Sequence, residues 1–164
     1  MTKKNYVFTG IALAVLLVTY GAIQRLIHIR EEPFQRTCLA NVYTLSHSML
    51  LYSSDNDGFP ATESWMDDIF QYLEPTSSLG ALHCPAVGDA EKEFGYAMHI
   101  TISGRKPSSL PDPSFEPIVF DSSLLSRNAA SEQVLEPRFS RHGGQMFGYA
   151  DGHVTRFTLR KGSE

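Results

Sequence analysis

Apolar and polar positions change their spacing several times along this chain, and each change marks an element. From Tyr6 to Ile23 the run is apolar and charge-free, with Lys3 and Lys4 before it and Arg25 and Arg30 after it. About eighteen residues at ~1.5 Å each give ~27 Å of helix, close to the ~30 Å hydrocarbon core of a bilayer. A helix apolar all round predicts a membrane anchor rather than a core helix. A cleaved secretory signal is the rival, but the run exceeds the usual ~7 to 15 apolar residues. Gln24, Arg25 and Leu26 also stand where a small-x-small cleavage site is needed, so we expect the anchor to be retained. Lys3 and Lys4 on one side nearly balance Arg25, Arg30 and Arg36 on the other, and charge alone does not set the orientation.

Beyond the anchor the period changes. Cys38, Val42, Leu45, Met49 and Tyr52 recur at alternating four- and three-residue steps, which predicts an amphipathic helix. Glu31, Glu32 and Pro33 suit its first turn, so it either starts there or continues the anchor through a kink. Asp55-Asn56-Asp57-Gly58-Phe59-Pro60 ends it with turn formers. Trp65, Ile69, Phe70 and Leu73 predict a short second helix, closed by Pro75 and a Thr-Ser-Ser-Leu-Gly loop. Strands follow at Phe94 to Ile102 and Pro117 to Asp121, with irregular chain between. From Gln145 to Leu159, two strand-like runs flank Asp151-Gly152, a pair suited to a two-residue type I′ hairpin turn. That reading places Phe147, Tyr149 and Val154 on one face and Met146, Phe157 and Leu159 on the other.

Charge sharpens the division. The whole chain of 164 residues has a formal net charge of −4, and residues 1–30 hold four basic and no acidic side chains, so the remainder stands near −8. An acidic domain of roughly 130 residues suits one modest core and argues against nucleic acid as a partner. Cys38 and Cys84 are the only cysteines. Their separation fits neither a zinc finger nor a CxxC redox pair. A single disulfide and two buried thiols both stay open, the first if the domain lies outside the cytoplasm.

Candidate chemistry is sparse. Ser53, Asp55, Asp57 and Gly58 match the start of an EF-hand, but Ser64 stands where its bidentate Glu belongs, so we read the segment as a turn. His142, Asp151 and His153, with His83 or Cys84, offer transition-metal ligands. Nothing in their spacing converges them as an H-E-x-x-H helix would, and structural roles are the plainer reading. No G-x-S-x-G elbow appears. Arg141-His142-Gly143-Gly144 lacks the Lys and following helix of a phosphate loop.

Together these segments resemble the bacterial type IV pilin-like and type II secretion pseudopilin-like proteins, particularly a planctomycete-type group with a C-terminal H-x9-DG signature. The motifs here are Cys38-Leu39-x-Asn41, Tyr52-x-x-Asp55-x-Asp57-Gly58-Phe59-Pro60, Cys84-Pro85 and Tyr96-Ala97-Met98, then Arg141-His142-Gly143-Gly144 leading to Asp151-Gly152-His153-Val154. Eight residues separate His142 from Asp151 where the signature has nine, and Gly10 is followed by Ile11 to Val15 without the acidic fifth residue of a prepilin peptidase site.

The resemblance implies an α+β, pilin-like fold: a long N-terminal transmembrane and stalk helix packed on an antiparallel sheet of about four strands. It divides the chain into an anchor with its flanks (1–30) and an extracytoplasmic domain (31–164), the latter made of a stalk (31–54) and a globular part (55–164). It implies a single-pass protein of the cell membrane, N-terminus cytoplasmic, C-terminal domain periplasmic or extracellular. The function implied is non-enzymatic, a pseudopilin-like component of a type II secretion or type IV pilus-like assembly. Its partners would be the inner membrane and other pilin-like subunits, with no cofactor. A tethered binding domain that does not polymerise is the alternative, and a metal enzyme at His142, Asp151 and His153 ranks third. Because Cys38 and Cys84 both fall within motifs of the extracytoplasmic domain, we expect them to pair as a disulfide. Asp151 and Gly152 are expected to form a structural turn, with His142 hydrogen-bonded near the chain's C-terminal strands.

Overall fold

Helix α1 (Lys3–Asp55) is the first element, and it runs through Pro33 rather than restarting there. The chain divides into two units at this proline, Met1–Pro33 and Phe34–Glu164. The computed structural model describes residues 3–73, 78–88, 92–132, 141 and 144–158, with the side chains of 3–12, 27–32, 78 and 79 outside that description.

In the first unit Leu13, Val15, Leu16, Leu17, Val18, Tyr20, Ile23 and Leu26 are all exposed, on every side of the helix. The Thr19 hydroxyl is satisfied within the helix, 3.0 Å from the carbonyls of both Val15 and Leu16. Among the described residues no helix is long and apolar enough to cross a membrane. The run Tyr6 to Ile23 falls partly on residues whose side chains are not described.

The second unit is α+β. After α1 come α2 (Trp65–Asp68), α3 (Ser78–Ala81) and strands β1 (Tyr96–His99), β2 (Pro117–Asp121), β3 (Ala130–Ser131), β4 (Gln145–Tyr149) and β5 (Val154–Phe157). The sheet is five-stranded, in the order β3-β1-β2-β4-β5. It is mixed, which corrects the expectation of about four antiparallel strands: β3 pairs parallel with β1, through Met98↔Ala130 and His99↔Ser131. Two residues leave no periodicity to read. Asn128, at φ +55°, turns the chain so that the Met98 N–H reaches the Ala129 carbonyl at 2.9 Å.

Three further expectations are corrected. The strand from Phe94 to Ile102 is regular only over Tyr96–His99, because Ile100–Ile102 tightens into a 3₁₀ turn that buries Ile102. That turn delivers Gly104 and Arg105 to the end of α1, where the Phe59 N–H donates to the Arg105 carbonyl at 2.9 Å and the Gly104 N–H to the Phe59 carbonyl at 3.1 Å. The helix from Trp65 to Leu73 is instead α2 followed by a 3₁₀ turn at Phe70–Tyr72. Its start is anchored from a distance: Asn128 Oδ1 accepts from the Met66 N–H at 2.8 Å, and Trp65 Nε1 donates to the Ala129 carbonyl at 2.9 Å. The predicted loop after Pro75 contains α3, whose first residue is Ser78.

The terminal hairpin is present, but its turn is longer by one residue. The Gly152 N–H donates to the Tyr149 carbonyl and the Tyr149 N–H to the His153 carbonyl. Only Gly152, at φ +89°, has positive φ there, whereas a type I′ turn needs it at both central residues. This is a type I turn closed by a left-handed glycine, and the change of register exchanges faces. Val154 lies opposite Gly148, sharing the face of Met146, while Phe157 lies opposite Gln145, on the face of Phe147.

The main core lies between α1 and one face of the sheet. Cys38, Val42, Leu45 and Met49 are fully buried against Tyr96, Met98, Val119 and Met146. Helix and sheet are in tight contact at Gly148 on β4. A Cβ there would stand 1.7 Å from Ser46 Oγ, 3.0 Å from Ser46 Cβ and 3.2 Å from Val119 Cγ1. Ser46 Oγ itself donates to the Val42 carbonyl at 2.7 Å. The opposite face holds a smaller cluster of Ala97, Phe120, Ala129 and Phe147.

Because this core belongs to the second unit alone, a fragment of residues 34–164 is expected to unfold in one cooperative urea transition. In that fragment Gly148→Ala should cost about 1–3 kcal/mol, since the Ser46 hydroxyl must leave its bond to the Val42 carbonyl and the Ser46 Cβ must give way. Adding Ser46→Gly should recover part of the loss. Additive effects of the two changes in a double-mutant cycle would rule out the contact as the cause.

Candidate functional site

Where α1 enters the sheet core, it meets a cluster of buried polar groups. Cys38 projects from α1, and Cys84 comes from the chain just after α3, with both sulfurs fully buried and 3.5 Å apart as thiols. The Tyr96 hydroxyl, from β1, donates to Cys38 Sγ at 3.3 Å. Asn41 stands three residues beyond Cys38 and holds the α3 segment against the helix. Its Nδ2 donates to the Gly80 carbonyl at 3.2 Å and to the His83 carbonyl at 2.9 Å. His83 Nδ1 in turn meets the Glu93 carbonyl at 2.5 Å, and the Cys84 N–H donates to the Phe94 carbonyl at 2.8 Å.

Asp121 closes the cluster from the end of β2. Its Oδ1 accepts from the Met146 N–H at 2.5 Å, and Gln145 Nε2 donates to its backbone carbonyl at 2.9 Å. The fully buried Oδ2 has no hydrogen-bond partner among the described residues. Arg141 arches over this end, donating to the Ser122 carbonyl at 2.8 Å and the Gly95 carbonyl at 3.5 Å. Gly95 makes room: at φ +78°, a Cβ there would stand 2.5 Å from Arg141 Nη1 and 3.2 Å from Cys84 Cβ.

These surroundings hold the cluster in its neutral forms. Burial raises the Asp121 carboxyl to about 8, against the partial relief of the Met146 N–H and the charge of Arg141. The Cys38 thiol is pushed up first by its hydrogen bond to Cys84 and then by burial, and burial does the same to the Tyr96 hydroxyl. At neutral pH the Cys38 thiol, the Tyr96 hydroxyl and the Asp121 carboxyl all keep their protons.

The other sequence-predicted residues take different places. Asp55 Oδ2 accepts from the Tyr72 hydroxyl at 3.0 Å, Tyr52 packs edge-on to Tyr72, and Asp57 pairs with Lys106. Gly58 packs on the Gly104 backbone, where a Cβ would stand 2.8 Å from the carbonyl oxygen, and Pro60 is buried. The carboxylates of this EF-hand-like run therefore turn to separate partners, and the run clasps the end of α1 to residues 103–106. Asp151 and His153 do meet, although their spacing gave no reason to expect it. Asp151 Oδ1 accepts from the His153 N–H at 3.0 Å and lies 2.5 Å from His153 Nδ1, while the imidazole stacks on Tyr149 at 4.2 Å. Burial would raise the Asp151 carboxyl, but the two His153 contacts outweigh it and hold it below the usual value. His142 lies outside the described residues. Among the described residues no group of three or more His, Cys, Asp or Glu side chains is arranged to hold a metal ion.

Asp121 and the roles of Tyr96 and Arg141 escaped sequence reasoning. One signal was there: an Asp closing the apolar run Ile118-Val119-Phe120, at a position where the pleat turns it inward. No protein-family model matches the chain, and neither the curated proteins nor the solved structures contain a match.

The raised Asp121 carboxyl makes a signed prediction. Unfolded, it titrates near ~3.9; folded, near 8. Below about pH 4 both states hold the proton. Between about 4 and 8 only the folded state does, so this group's contribution falls as pH rises, by up to ~1.4 kcal/mol per unit, and levels off above 8. The stability of Asp121→Asn relative to the wild type should therefore increase from pH 5 to pH 8 in urea titrations. A difference independent of pH would contradict the assignment.

Proposed function

We propose that this protein is a membrane-anchored, non-enzymatic, pseudopilin-like component of a secretion or pilus-like assembly. In this reading its N-terminus is cytoplasmic and its α+β domain lies on the extracytoplasmic face. One observation carries the reading. The helix that supplies the core stripe Cys38, Val42, Leu45 and Met49 also bears, further toward its start, apolar side chains exposed on every side from Leu13 to Leu26. Exposed apolar surface of that extent is costly in water and suits lipid or other apolar helices. Thr19, whose hydroxyl bonds to its own helix, fits the same environment.

The buried polar cluster supports a structural role. Asn41, Tyr96 and Arg141 spend their hydrogen bonds on backbone carbonyls and a buried thiol, joining α1, the α3 segment and the sheet. The acidic domain is left to meet protein partners.

Expression of the full chain with membrane fractionation tests the proposal. The protein should stay with the membrane through alkaline carbonate extraction, yield only to detergent, and expose its C-terminal domain to protease from the outer side. Recovery of the intact chain in the soluble fraction would overturn it. Shearing of the cells separates the two versions: release with a filament fraction marks a polymerising subunit, and retention in the membrane marks a tethered domain, which the missing acid after Gly10 favours.

A further inference from the structure

The Cys38–Cys84 pair carries more than a choice between thiols and disulfide, because its two sulfurs sit on different supports within one hydrogen-bonded cluster. The Tyr96 hydroxyl donates to Cys38 Sγ, and the Cys38 thiol donates to Cys84 Sγ. The two sulfurs are mounted differently. Cys38 sits on a helix packed across the sheet, whereas Cys84 sits on an irregular segment that Asn41 ties to that helix through the Gly80 and His83 carbonyls. With both sulfurs fully buried, an external reagent reaches neither until one support lifts. The Cys84 segment, outside helix and strand and held by the Asn41, His83 and Cys84 N–H bonds, can open without unseating the helix from the sheet.

From this geometry we infer that Cys38 and Cys84 form an ordered, Asn41-gated oxidation site that closes inside the already folded domain, with Cys84 as attacking thiol and Cys38 as resolving thiol. The oxidant is a small-molecule or protein disulfide, RS–SR. When the Cys84 segment lifts, the Cys84 thiol gives its proton to solvent and its thiolate attacks one sulfur of RS–SR. The S–S bond of the oxidant breaks, and the leaving RS⁻ takes up a proton. On reclosure Cys38 attacks Cys84 Sγ, the mixed disulfide breaks, and the second RS⁻ leaves with the proton that Cys38 gives up. Two protein thiols are oxidised and one disulfide is reduced to two thiols. Asp121, kept protonated by burial, places no charge against the thiolate at neutral pH. The site stands independently of the membrane reading; only the supply of oxidant in the cell rests on it.

The full chain, purified reduced in detergent and treated with oxidised glutathione, tests this at its native pH without reference to membrane topology. Mass spectrometry should show the wild type losing both thiols within one chain, with a cross-linked peptide joining Cys38 to Cys84. Cys38→Ser should accumulate one glutathione on Cys84, and Cys84→Ser should be modified on Cys38 at least ~5-fold more slowly. Asn41→Ala should speed closure of the pair several-fold, and in the wild type the rate should plateau at high glutathione, where lifting of the segment limits it. Glutathione on both cysteines of the wild type, or thiols that react only after unfolding, would overturn the site. Equal rates for the two serine variants would overturn the order, and an unchanged rate in Asn41→Ala the gate.

Discussion

The close crossing of α1 over the sheet is the constraint on which the rest of the second unit depends. The glycine at 148 lets the Ser46 side chain of α1 come down onto β4, where it fills the space that a side chain at 148 would have taken. That approach sets the depth at which Cys38, Val42, Leu45 and Met49 sit, and all four are consequently sealed from water. Hydrophobic burial supplies the energy, on the order of 1.5–3 kcal/mol for each large side chain. The glycine supplies the geometry. With the helix at this depth, polar groups at its near end have no water to meet and must find partners among themselves, which is why Cys38, Tyr96, Asn41 and the Cys84 segment form a bonded cluster.

Asp121 is the exception within that cluster. One of its oxygens is used by the Met146 N–H and aligns β4 beside β2, while the other has no partner among the described residues. A carboxyl in that position is stable chiefly as the neutral acid, so at neutral pH the folded domain holds a proton that the unfolded chain does not. The arrangement joins three segments far apart in sequence: the helix, the Cys84 segment and the start of the terminal hairpin. It suits a domain that must keep its helix seated, as a stalk subjected to pulling would require under the proposed function.

Much of this was legible in the chain because it rests on periodicity. The three- and four-residue steps from Cys38 to Met49 identified the buried helical face, and the strand at Pro117 to Asp121 came from its β-branched and aromatic run. Asp151-Gly152 marked the hairpin, yet the turn was misread by one residue, because a type I turn with a following glycine uses the same pair in a different register. β3 was invisible, being two residues placed by the backbone of Asn128 rather than by their own propensity. The cluster was half visible: Cys38, Asn41, Cys84, Tyr96 and Arg141 fell within motifs, whereas Asp121 lay in none, and only pairings between distant strands and loops bring them together. The contact of Asp151 with His153 was likewise a product of turn geometry, which spacing alone does not encode.

The seating of α1 on the sheet through the Gly148 crossing can be measured most directly by native-state hydrogen exchange on fragment 34–164 in low urea. If helix and sheet share one core, the amides of Val42 to Met49 will exchange with the same free energy and the same urea dependence as those of Val119, Phe120 and Phe147. All of them will open only with global unfolding. Helix amides that exchange through a cheaper opening, while the sheet amides remain protected, would contradict the account.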